Sequence, residues 1–148
     1  MDVLSFDATT PDRARPPARE ERVRVLVVED DDDAAETVRR LLQRYGADVE
    51  VAGCAADAME RTRAFHPDLV LTDLSLPDRD GFALIVELRE ALAGSAPICV
   101  AVTGIADAAT DARASSARFD RFLLKPVEPT VLKQLVADVR WRRGAPPS

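Results

Sequence analysis

At 148 residues the chain has the length of one domain, and its 47% apolar content is enough to build a core at that size. A formal net charge of −6 argues against non-specific nucleic-acid binding, and no apolar run reaches the roughly 18 residues of a membrane helix. Cys54 and Cys99 form no C-x-x-C or Cys/His cluster and are expected as reduced, buried thiols; with no basic-then-apolar leader pattern, the expected location is cytoplasmic.

Residues 1–22 hold Pro11, Pro16 and Pro17 among Asp, Arg and Glu, and are expected to form a disordered tail because they bury too little to offset ordering entropy. Val23–Val28 is a β-branched run and reads as a strand. Val38, Leu41, Leu42 and Tyr45 then recur at helical spacing, with Gly46 as the C-terminal stop. Residues 48–52 form a second, weaker strand. Ala55, Ala58, Met59, Thr62 and Phe65 mark a second helix that Pro67 ends. Residues 68–73 (DLVLTD) are a third strand, and Gly81 opens a helix with Leu84, Ile85, Leu88 and Leu92 on one face. Residues 97–103 (PICVAVT) are a fourth strand. Residues 106–117, rich in Ala, Ser and Asp, predict a short or mobile helix. Residues 121–124 are a fifth strand, and Val131, Leu132, Leu135, Val136 and Val139 mark the last helix. Residues 142–148 read as a second disordered tail, which leaves 23–141 as the folded body.

Five strands alternating with five helices predict an α/β fold with a parallel sheet and right-handed crossovers. Unbroken apolar strands suit a sheet covered on both faces. Such sheets bind ligands at the carboxyl ends of their strands. There the chain places Glu29-Asp30, then Asp73, then Thr103-Gly104, then Lys125-Pro126. In a doubly wound, flavodoxin-like order 2-1-3-4-5, Glu29, Asp30 and Asp73 converge, with Thr103 and Lys125 beside them. Two unit charges about 4 Å apart repel by roughly 4 kcal/mol at an effective dielectric near 20. A hard divalent cation relieves that repulsion, and an all-oxygen donor set suits Mg²⁺. A metal, a lysine, a hydroxyl and a free carboxylate suit phosphoryl transfer to Asp73, which needs charge neutralisation and positioning more than a base.

The segments VRVLVVEDD, PDLVLTDLSLPDRDG, VAVTG and FLLKP, in this order and spacing, resemble the response-regulator receiver domain of bacterial two-component signalling, over about residues 23–141. The resemblance implies that Glu29 and Asp30 hold Mg²⁺ with Asp73 and the Ser75 backbone carbonyl. It implies that Asp73 is the phosphoacceptor, that Lys125 contacts the phosphoryl group, and that Thr103 and Phe122 are the switch pair. Pro126 matches a proline whose preceding peptide bond is usually cis. The implied phosphodonor is a sensor histidine kinase or a histidine phosphotransfer protein. The implied protein is a phosphorelay signalling module that gains and loses its own phosphoryl group, and not an enzyme turning over an external substrate.

The chain departs from the family pattern at Glu29, where Asp is frequent, and at Arg118, where Gly is common before the fifth strand. The resemblance also places Ile105, two residues past Thr103, beside the path of the hydrolytic water; an apolar side chain there cannot orient it, so slow self-dephosphorylation is expected. No output domain has room after the last helix, so output through an unidentified protein partner, or onward relay, is expected, without nucleic acid or membrane. The resemblance implies that the last two helices and the fifth strand form the output face, and a homodimer through that face is an expectation. The pattern from 103 to 127 resembles receivers attached to hybrid kinases, while Met1 and the tail suit a free-standing protein. The alternative is a pseudo-receiver adaptor that binds partners without phosphorylation. A haloacid-dehalogenase-like hydrolase fits worse: its D-x-D follows the first strand, whereas Asp73 follows the third and Ser75 stands at the second Asp position.

Simpler roles account for several other residues. Asp31 and Asp32 read as helix caps, and Asp78 and Asp80 as turn residues before Gly81. His66 reads as a surface loop residue. Trp141 with Arg140, Arg142 and Arg143 reads as a small docking patch or as cations at a helix C-terminus.

Overall fold

The computed structural model describes residues 22–104 and 119–142. Its strands are β1 (Val23–Val28), β2 (Ala47–Ala52), β3 (Leu69–Asp73), β4 (Ile98–Thr103) and β5 (Arg121–Leu124). Its helices are α1 (Asp32–Arg44), α2 (Ala55–Phe65), α3 (Gly81–Ala91) and α4 (Pro129–Arg142). The sheet order is β2-β1-β3-β4-β5, with every pair parallel, as expected. Four helices stand among the described residues. The helix expected over 106–117, the turn at Arg118, Ile105 and nearly all of both tails lie outside them. Arg142, placed with the second tail by composition, is the last residue of α4.

Alternation along each strand divides the core in two. Val23, Val25 and Val27 of β1, with Leu69, Leu71 and Val100, face α1 and α4, where Leu42, Leu132, Leu135 and Val136 close the layer. Leu26, Val28, Val70 and Cys99 face α2 and α3, against Ala58, Met59, Leu84, Ile85 and Leu88. Burying each such leucine or valine contributes roughly 1.5–3 kcal/mol. Because both sheet faces are covered, these strands show no polar alternation.

The helices start where side chains satisfy their free amides. Asp31 accepts from Ala34 N at 3.0 Å and caps α1, while Asp32 and Asp33 occupy its first turn near the positive end of the dipole. Asp32 is thus a helix residue and not a second cap. Asp80 accepts from Ala83 N at 2.8 Å and caps α3. Gly46 follows the end of α1 with φ of +90°, the left-handed conformation that glycine supplies without strain. His66 ends α2 at φ of +52° and is exposed.

Both cysteines are free, but only Cys99 is buried; Cys54 is half-buried. Cys54 lies at the start of α2, and its Sγ accepts from Asp57 N at 3.4 Å. Burial pushes the Cys99 thiol up to about 12. At pH 8, about four units lower, roughly one Cys99 in ten thousand is a thiolate, the reactive form. Iodoacetamide is therefore expected to label Cys54 in the folded chain and to spare Cys99. Peptide mapping that finds both modified at equal rates in the folded protein would refute this.

Candidate functional site

Strand register assembles the site. Val28 of β1 lies opposite Thr72 of β3, so Glu29 and Asp73 leave the sheet side by side. Asp73 pairs with Val102, and Thr103 pairs with Leu124, which brings Thr103 and Lys125 to the same edge. One carboxylate oxygen from each of Glu29, Asp30 and Asp73 lies within 4.8 Å of the others. Asp30 is exposed, whereas the side chains of Glu29 and Asp73 keep only 12% and 13% of their surface.

Lys125 bridges the cluster. Its Nζ donates to Asp73 Oδ2 at 2.9 Å and to Glu29 Oε1 at 3.2 Å. Ser75 N donates to the other Asp73 oxygen at 3.0 Å, and Asp31 N donates to Glu29 Oε2 at 3.2 Å. Partial burial raises the Glu29 carboxyl above its usual range and the nearby Asp73 charge adds to this, against the opposing bonds from Asp31 N and Lys125. Burial pulls the Lys125 ammonium down, but its bonds to Asp73 and Glu29 outweigh that and raise it. Three carboxylates therefore face one ammonium, and the cluster carries excess negative charge. Every donor is a hard oxygen, which fits a small divalent cation.

The remaining predicted residues stand close by. Thr103 is 93% buried at the end of β4, and its carbonyl accepts from Lys125 N at 2.7 Å. The Lys125–Pro126 peptide is cis. Phe122 is half-buried on β5, against a cluster of Leu74, Phe82 and Ala101. A cleft of about 530 Å³ opens beside Asp73 and Lys125, walled by Val27, Val38, Leu41, Leu71 and Val102 between α1 and the start of α4. Trp141, 63% exposed, stands at the far end of α4, where Arg140 and Arg142 occupy the last turn.

Two residues do more than their sequence context predicts. Asp78 does not serve only the turn before Gly81. Its carboxylate accepts from Ala55 N and Ala56 N of α2, each at 2.9 Å. These amide bonds hold the Asp78 carboxyl below its usual range. Gly81 lies so close to the end of β3 that a Cβ there would stand 2.6 Å from the Asp73 carbonyl oxygen. Neither contact leaves a signal in local spacing, because each spans separate elements; the only hint is the density of Asp and Gly in PDRDG.

The family model of the response regulator receiver domain matches residues 25–137. Among curated proteins, an uncharacterized 14.6 kDa protein of Leptolyngbya boryana is 36% identical over 112 residues, covering 76% of this chain and 86% of that one. The DNA-binding response regulator MtrA of Mycolicibacterium smegmatis is 36% identical over 121 residues, covering 82% of this chain and 50% of that protein. This chain thus spans about half the length of that relative. Among solved structures, the CheY-like response regulator receiver domain protein of Methanospirillum hungatei superposes with a TM-score of 0.76 at 25% identity, covering 83% of this chain and 97% of that one. The sheet order, the acidic cluster at its carboxyl edge and these matches agree, and the chain belongs to the response regulator receiver domain family.

Proposed function

We propose that the chain is a phosphoryl-accepting module of a two-component phosphorelay, with Asp73 as acceptor. The observation that carries this reading is the convergence of Glu29, Asp30 and Asp73 on one cation-seeking cluster that Lys125 neutralises only in part. An Asp73 carboxylate oxygen attacks phosphorus, forming the new P–O bond. The bond to the donor breaks, and its electron pair leaves with the donor, the imidazole of a phosphohistidine or the acetate of acetyl phosphate. Ser75 N orients the carboxylate, and the Lys125 ammonium balances charge on the transferred oxygens. Glu29, Asp30, Asp73 and the Ser75 carbonyl would hold Mg²⁺, which when bound supplies further charge neutralisation.

After transfer, the Thr103 hydroxyl bonds a phosphoryl oxygen, and Phe122 follows it toward the sheet edge. The half-buried position of Phe122 in a small satellite cluster suits such a two-state element. The donor is a sensor histidine kinase or a histidine phosphotransfer protein. The output is a change in binding to a protein partner or to a second copy through β5 and its flanking helices, without turnover of an external substrate. Among the described residues no helix is long and apolar enough to cross a membrane, and the reading takes the module as cytoplasmic.

The test is intact mass after incubating the full chain with acetyl phosphate and Mg²⁺. A gain of one phosphoryl group is expected, absent in Asp73→Asn and absent when a chelator removes the metal. No gain under conditions that label a known receiver would instead support an adaptor that binds partners without phosphorylation.

A further inference from the structure

We propose that Asp78 is a positioning residue for phosphoryl acceptance: its carboxylate pins the loop between β3 and α3 to the start of α2 and thereby holds Ser75 against Asp73. The proposal rests on the reading of Asp73 as acceptor.

The start of α2 is open to such a visitor. Its own capping residue is Cys54, a weak acceptor whose Sγ reaches only Asp57 N, at 3.4 Å. The amides of Ala55 and Ala56 remain, and Asp78, more than twenty residues away in sequence, takes both, one with each oxygen. A charged acceptor on two amides at a helix start is a strong, directional contact.

The loop needs it. Ser75 is exposed, so its own side chain is not held by packing, although Leu76 after it rests half-buried against the core. Leu74 before it is buried, and Gly81 N donates to Leu74 O at 2.9 Å, which closes the loop at its base. The next three anchors are consecutive and pull in different directions. Asp78 holds α2, Arg79 grips Glu87 of α3 with Nη1 at 2.6 and 2.8 Å, and Asp80 caps α3. Among these contacts, the two from Asp78 cross to α2, outside the loop's own β3–α3 unit. Leu74 and Leu76 still pack on either side of Ser75, but releasing Asp78 removes the bonded tie to α2, and the Ser75 N bond to Asp73 Oδ1 and the Ser75 carbonyl lose that constraint on their orientation.

The experiment compares the full chain with Asp78→Ala, Asp78→Asn and Ile98→Val. The last trims the core at the opposite end of β4 and controls for a general loss of stability. Amide hydrogen exchange, Mg²⁺ affinity by calorimetry and the rate of mass gain from acetyl phosphate are read on each. Asp78→Ala is expected to speed exchange at Ser75 and to weaken Mg²⁺ binding by about tenfold, the scale of losing an outer support of a metal site. Mass gain slows with it. Asp78→Asn, which keeps one acceptor oxygen, falls between, and Ile98→Val moves none of the three. If Asp78→Ala matches the wild type at Ser75 and in Mg²⁺ affinity, or if Ile98→Val reproduces its losses, the proposal is overturned while the acceptor reading stands. A wild-type chain that neither binds Mg²⁺ nor gains mass overturns the acceptor reading and this proposal with it.

Discussion

Gly81→Ala is expected to destabilise the fold by about 1–3 kcal/mol, the scale of overpacking a tight contact, and to slow phosphoryl uptake at Asp73. An alanine Cβ would stand 2.6 Å from the Asp73 carbonyl oxygen, 3.1 Å from Leu74 Cα and 3.3 Å from Leu74 Cδ2. The two nearest atoms are backbone and cannot rotate away. The Asp73 carbonyl is also held by the Thr72 hydroxyl at 2.9 Å, and Asp73 is paired in register with Val102. The start of α3 must therefore retreat, stretching the bond from Gly81 N to Leu74 O and shifting the loop that carries Ser75. Close approach, and not left-handed backbone, is what requires glycine here, since among the described residues the positive-φ glycines are Gly46 and Gly94. Gly53→Ala is the control. Its Cβ would meet nothing within 4 Å, so it should be neutral or stabilise by about 0.4–1 kcal/mol through the unfolded chain. Urea denaturation of both variants decides the matter, and equal effects would refute the close-packing account.

Lys125→Ala is expected to move two properties of the site in opposite directions. Its ammonium lies within hydrogen-bond distance of both Glu29 and Asp73, so it competes with any cation drawn to the same oxygens. Removing it leaves the carboxylates facing one another, and Mg²⁺ affinity rises by about tenfold, a change that a partly screened charge at this range can supply. Phosphoryl uptake nevertheless slows by about a hundredfold, the scale of losing one preorganised group that stabilises developing negative charge. Calorimetry with Mg²⁺ and the rate of mass gain from acetyl phosphate separate the two effects. Weaker Mg²⁺ binding in Lys125→Ala would show that the lysine organises the carboxylates more than it competes for them.

The order of elements was legible because apolar runs change period between strand and helix, and β1, β3 and β4 carry that signal strongly. The parallel sheet followed from alternation, and the strand ends then singled out Glu29, Asp30, Asp73, Thr103 and Lys125. Asp73 and Thr103 end their strands, and Glu29, Asp30 and Lys125 lie one or two residues past theirs, so a correct strand assignment was enough to bring them together. The partial exposure of Cys54 was not legible. Composition favours buried thiols, but the thiol here serves the start of a helix at the sheet's rim. Nor was the reach of Asp78: within its own segment it looks like a turn residue, and its partner amides, at the start of α2, precede it by more than twenty residues.

Local periodicity and strand-end chemistry, readable along the chain, encode the α/β alternation and the acidic edge with its lysine, and the order 2-1-3-4-5 entered as the doubly wound arrangement that brings those strand ends together. Packing settles which Asp73 oxygen meets Lys125 and which meets Ser75, that Asp78 crosses to α2, and that Gly81 leaves no room for a side chain. The physical reason is range. Hydrophobic pattern and capping act over a few residues and can be read along the chain, whereas these contacts join segments that meet only after the sheet and its helices have packed.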